Sequence, residues 1–405
     1  MAAWGAANRR VLDRWLGPLV SLALVLPLAG TVAWVSWREE CWDVPTEIQA
    51  LADDPQAAVD HLVPGADPAS GSGDASGADS RVAALLSPEH WTTCQGPAGP
   101  DLLGSILLAA TTGQTAAERS GPAVPHTLPM SVVVHETVMV LGAERPRAAN
   151  LLPWRDPGPQ VPPGLEPYLA TMLAAYVRDV NDGAGDFYAP QELPDEAGPA
   201  LTHPDTGEWR PVFRYDNDSR RPLQRLLGRI TVDPVAYATL HDAFRAHYAD
   251  YLDRLTVDGD GVLRDPEDRA PALTSYNRFR ELTYGTTALA QLRALHVRDG
   301  RIEDVDAFDE TVLESSRGVF RTGARAGTGA DTPEPPLTGD VARRAPDSSV
   351  AETGILDGRQ HLLGVLAHWA EEHGLSESDL LALNAALEEG YFNAVHAARS
   401  DYAYF

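Results

Sequence analysis

The chain has 405 residues, with 58 acidic against 32 basic side chains and a formal net charge of −26 at pH 7. Every basic side chain is arginine, which excludes a Walker A loop, a Ser-x-x-Lys acyl-enzyme site, a Schiff-base lysine and a kinase-type catalytic lysine. The acidity argues against a nucleic-acid partner, which needs a basic face, and suits solubility or contact with basic surfaces.

Residues 15–37 (WLGPLVSLALVLPLAGTVAWVSW) form an uninterrupted apolar run without a charged side chain. As a helix it is about 34 Å long, enough to cross a hydrocarbon core of about 30 Å. Arg9, Arg10 and Arg14 precede it against a single Asp13, whereas Arg38, Glu39, Glu40 and Asp43 follow. The positive-inside rule therefore predicts a cytoplasmic tail at 1–14, a transmembrane helix at 15–37 and an extracytoplasmic remainder. Trp15, Trp34, Trp37 and Trp42 lie where indole rings favour the membrane interface. The competing reading is a cleaved secretory signal ending near Thr31-Val32-Ala33. The lack of lysine, with abundant Ala, Gly and Pro, reads as the coding bias of a high-GC bacterium.

Cys41 and Cys94 are the only two cysteines, and an oxidising exterior predicts a disulfide between them. The alternative is two buried free thiols. Residues 38–63 are predicted to hold a juxtamembrane helix, and 64–80, rich in Gly, Ser, Asp and Pro, a flexible linker. An α-rich domain is expected over 81–321. Within it, 127–142 is dense in β-branched residues, with Val132, Val134, Glu136, Val138 and Val140 on one parity, which predicts strands.

Leu169, Met172, Leu173, Tyr176, Val177 and Val180 recur at helical spacing and predict a helix over 166–180. A long loop is expected at 183–222. Asp233-Pro234 is a cap and first-turn pair opening a helix with Leu240, Phe244, Tyr248, Tyr251 and Leu255 on its stripe. A further helix is expected at about 274–297, a disordered loop at 322–352, and a helical hairpin at 353–405 turning at Gly374. The fold class expected is mainly α (α+β), with a small β element.

The nearest approach to a metal motif is Thr256-Val257-Asp258-Gly259-Asp260-Gly261 with Glu267. Aligned to an EF-hand loop, Asp258 and Asp260 take positions 3 and 5, Gly261 the sharp turn and Glu267 the bidentate position 12. Thr256 stands where the first Asp belongs, and Pro266 spoils the exit helix, so calcium binding competes with a plain acidic turn. His135-Glu136 begins a zincin pattern that fails at Met139. His361, His368, Glu372 and His373 share one predicted helix without an identified further ligand. There is no C-x-x-C and no nucleophile elbow.

These observations predict a single-pass, membrane-anchored cell-envelope protein whose acidic external domain binds a protein or envelope partner without catalysis. The alternative is an anchored hydrolase of cell-wall polymers working through paired carboxylates, which composition alone does not locate.

Overall fold

The computed structural model describes residues 41–64, 78–94, 97, 99–115, 126–143, 161–184, 217–254, 256–257, 263–264, 279, 282–316 and 359–401. The run at 15–37, most of the tract at 64–80 and the whole of 322–352 lie outside them. No helix among the described residues is long and apolar enough to cross a membrane. The described chain is mainly helical, as expected, with a two-stranded antiparallel ribbon pairing β1 (Thr256–Val257) with β2 (Leu263–Arg264).

The described residues begin at the expected disulfide. Cys41 and Cys94 are bonded with Cα atoms 4.9 Å apart. Around the bond the backbone is paired: Trp42 N–H donates to Thr92 O at 2.7 Å, and Cys94 N–H donates to Trp42 O at 3.0 Å. The helix expected at 38–63 is two pieces, α1 (Thr46–Ala50) and α2 (Pro55–Leu62), joined by a 3-10 turn at Leu51–Asp53. The break falls at Asp54, which leaves helical space and accepts Ala57 N–H at 3.0 Å, while Pro55 takes the first turn of α2.

Val44, Leu51, Ala58, Val59 and Leu62 are buried in the same core as Leu103, Ile106 and Leu107 of α4 (Gly99–Thr112). Residues 44–63 thus belong to the folded domain, whose expected start near Arg81 is corrected. The tract at 64–80 is an insert between α2 and α3 (Ala78–Leu85), and these two helices touch. Its last three residues are already helical.

The strands expected near 127–142 are instead one helix, α5 (Leu128–Leu141). Met130, Val133, Val134, Thr137, Val138 and Leu141 are buried, a helical spacing hidden beneath the parity pattern. Helices α2, α3, α4 and α8 (Asn217–Ile230) surround it, so burial on most sides overrides the β preference of its valines.

The helix expected at 166–180 is likewise divided, into α6 (Glu166–Ala175) and α7 (Val177–Ala184), at Tyr176. There the ring stacks on His126 with centroids 4.1 Å apart, and the hydroxyl donates to Thr111 O at 2.9 Å. Helix α8 begins inside the stretch expected as a loop to 222.

Helix α9 (Pro234–Arg254) is the axis of the domain, with α6, α7, α10 (Tyr284–Arg298), α11 (Val305–Ser315) and α12 (Arg359–Glu372) packed on it. Asp233 caps it as expected, accepting Ala236 N–H at 2.8 Å. Its first half, through Phe244, lies in the main core; Tyr248, Ala249, Tyr251 and Leu252 form a second core with Leu362, Leu366, Trp369, Leu383 and Leu387. The helix expected from about 274 is described as continuous only from Tyr284.

The C-terminal hairpin of α12 and α13 (Glu377–Asp401) follows the sequence closely. Gly374 turns the chain with φ 64°, its N–H donates to Glu371 O, and Leu375 N–H donates to Ala370 O. These two bonds make a Schellman stop. Ser376 Oγ accepts Asp379 N–H at 3.2 Å and starts α13.

Candidate functional site

The greatest concentration of buried ionisable side chains lies halfway along α9. From Ala236 to Ala249 nearly every residue is buried, including His241, Asp242, Arg245 and His247. Asp242 and Arg245 are one turn apart, and Arg245 Nη2 donates to Asp242 Oδ1 at 3.0 Å. His241 Nδ1 stands 3.8 Å from the same oxygen. Burial pushes the Asp242 carboxyl up to about 8, against the opposing pull of the Arg245 guanidinium. Burial, with Arg245 adding to it, holds His241 down to about 3, so that imidazole is neutral.

This cluster meets α10 across a close helix crossing. Gly285 lies so near the Phe244 ring that a Cβ there would overlap it. Its N–H, at the open end of α10, donates to Asn181 Oδ1 of α7 at 3.0 Å. Further along α10, Arg293 grips Asp309 of α11 through Nε at 2.8 Å and Nη2 at 2.5 Å. His296 Nε2 lies 3.1 Å from Thr231 Oγ1, and burial lowers its pKa to about 4.

Chemically, a neutral carboxyl beside a guanidinium is a proton donor, and a neutral imidazole near it is an acceptor. Both would need contact with a reacting group, and all three side chains are shut inside the helix packing with 3–5% of their surface exposed. The pair satisfies two buried polar groups within one helix rather than tying that helix to a neighbour.

A second pair of carboxylates lies nearer the surface. Glu166, half-buried, has its pKa raised, first by burial and last by the charge of nearby Asp233. Two neighbouring carboxylates are what the hydrolase reading requires. Each is already engaged with backbone: Glu166 Oε2 accepts Gly164 N–H at 2.7 Å, and Asp233 Oδ1 caps α9.

Of the residues singled out in the sequence, Cys41 and Cys94 are joined. Asp258, Asp260 and Glu267 lie outside the described residues. What is described is the ribbon on either side of residues 258–262, with Thr256 opposite Arg264 and Val257 opposite Leu263. No group of three His, Cys, Asp or Glu side chains among the described residues is arranged to hold a metal ion. His135 and Glu136 stand on a helix rather than a strand, with His135 Nδ1 2.9 Å from Glu136 Oε1. The element would suit a zincin pair, and Met139 is what breaks it. His361 and His368 have side chains outside the described set, while His373 is exposed and its Nδ1 faces Trp369 O at 2.8 Å.

Sequence reasoning missed the α9 cluster because its stripe was read from apolar residues alone. The available signal was four ionisable residues, His241, Asp242, Arg245 and His247, distributed around a helix that also carries Phe244, Tyr248 and Tyr251. A helix apolar on several faces is central, and polar groups on it are then interior. Comparison of the chain with protein-family models, curated proteins and solved structures gives no match.

Proposed function

We propose that the chain is a single-pass, membrane-anchored cell-envelope protein, with residues 15–37 as its anchor and the helical domain on the extracytoplasmic side. In this reading the domain binds a protein or envelope partner and performs no catalysis. The observation that carries it is the outer face of α13. Leu381 and Phe392 are 63% and 64% exposed, far more than the core leucines beside them. They stand three helical turns apart on one face, about 16 Å along the axis. Ala385 is exposed between them, Glu388 lies on the same line with Arg359 Nη1 of α12 3.9 Å from its Oε1, and Ala382 and Glu389 are exposed to one side. From 377 to 398 the sequence has four acids and no arginine. A face of this kind suits an apolar surface flanked by basic groups, and like charge disfavours a second copy of itself.

The hydrolase alternative draws on Glu166 and Asp233, but both are spent on backbone N–H groups. A photo-crosslinking residue placed at 381 or 392, and at exposed Glu310 on α11 as a control, separates the two in intact cells. Binding gives a discrete adduct of one mass at 381 and 392 but not at 310. Absence of an adduct at both positions, with turnover of cell-wall polymer by the purified protein, overturns the binding reading.

A further inference from the structure

We infer that the domain rests directly on the lipid headgroups through its disulfide-bonded pole, with Trp42 and Trp91 at the contact. The inference rests on the reading of residues 15–37 as a retained anchor. If the tract at 64–80 led from membrane to domain, the domain could range far from the surface. The fold removes that freedom, because the chain enters the domain before the tract, at Cys41 and Val44.

Only residues 38–40 separate the apolar run from Cys41. Fully extended, that stretch spans at most about 14 Å. The headgroup layer beyond the hydrocarbon is itself about 5–7 Å deep on each side. Cys41 is therefore held within roughly a headgroup depth of the lipid, and Cys94 follows it, with Cα 4.9 Å away.

The backbone bonds of Trp42 with Thr92 and Cys94 carry the constraint into the loop at 88–94. Trp42 and Trp91 are partly buried against the core; Trp42 stacks on His90 with centroids 4.1 Å apart, and Trp91 Nε1–H donates to Leu86 O at 3.2 Å. Indoles with one edge packed and one wet are the side chains that favour the headgroup layer. Asp43, Glu47 and Glu89 are exposed around them, and residues 41–64 and 86–94 contain no arginine. The pole thus suits headgroups carrying an ammonium group and not a strongly anionic surface. Helix α13 packs through its other side on α10 and α12 rather than on the disulfide loop.

The test uses the full chain in phosphatidylcholine vesicles, with a single fluorescent amino acid at exposed Thr92 or at exposed Ser378. Nitroxide-labelled headgroups serve as quenchers. Several-fold stronger quenching at 92 than at 378 is expected. Equal, weak quenching at both sites, with the protein still retained in the vesicles after alkaline carbonate, overturns the headgroup contact. Release of the protein by carbonate overturns the anchor reading itself, and the inference with it.

Discussion

At the scale of single residues, the interior is polar where the sequence looked merely amphipathic, and this has consequences for pH. His126 is buried on Tyr176 and held down to about 4, and His296 to about 4, both chiefly by burial. The unfolded chain binds these protons near pH 6.5, before the folded chain does. Their contribution to stability is complete above pH 6.5 and is lost as pH falls towards 4. For His126 the loss reaches about 3 kcal/mol. His126 Nε2 has no hydrogen-bond partner, so His126→Phe, which keeps the ring on Tyr176, removes a buried polar atom as well as the titration. Urea midpoints measured between pH 4 and 7 are expected to fall less steeply for this variant than for the parent. Equal slopes would show that His126 does not titrate with unfolding.

The Asp242–Arg245 pair makes a second prediction at this scale. Asp242→Ala leaves a buried guanidinium without its hydrogen-bond acceptor and is expected to cost about 3–5 kcal/mol. The double substitution Asp242→Leu, Arg245→Met is expected to recover most of that loss in the same unfolding measurement. A single variant as stable as the parent would mean that the pair is not closed off from water. The disulfide and the caps at Asp233 and Ser376 were legible, since each depends on neighbours in sequence or on a count of two cysteines; the cap at Asp54, equally local, was read through as continuous helix. The partners of Asn181 and His296 were not legible, because they depend on which helices meet.

At the scale of elements, the same division holds. The hairpin of α12 and α13 was readable from Gly374 and Ser376, whose bonds are local. Helix α5 was not, because Val132 to Val140 satisfies both a strand parity and a helical stripe, and only four surrounding helices decide between them. Tyr176 divides α6 from α7 for a reason equally distant in sequence, the carbonyl of Thr111 and the ring of His126.

The crossing of α9 and α10 is the element contact with the least slack. Gly285→Ala drives a methyl group into the Phe244 ring and is expected to destabilise by about 1–3 kcal/mol. Phe244→Leu, added to it, is expected to return part of the loss, and strict additivity of the two changes would place the clash elsewhere. Asn181→Ala strands the Gly285 N–H at the buried start of α10, at about 1–3 kcal/mol by the same assay.

At the scale of the whole molecule, the main revision concerns how the domain is held. Sequence composition marked 64–80 as a spacer, and composition does not reveal that the helices on both sides pack into one core. With residues 44–63 inside the domain, the Cys41–Cys94 bond closes a loop within the folded domain. Closing about 54 residues contributes roughly 4 kcal/mol in the chain-entropy model. In the proposed reading, an acidic helical domain held at one pole, with exposed apolar side chains on its last helix, presents a surface to a partner outside the cell.

The address underlies all of this, and the two cysteines report it in one experiment. Intact cells are treated with a membrane-impermeant maleimide of known mass, before and after a mild impermeant reductant. An external, disulfide-bonded pair is expected to take up no label before reduction and two labels after it. Labelling without reduction, or labelling that requires the cells to be broken, would contradict the account.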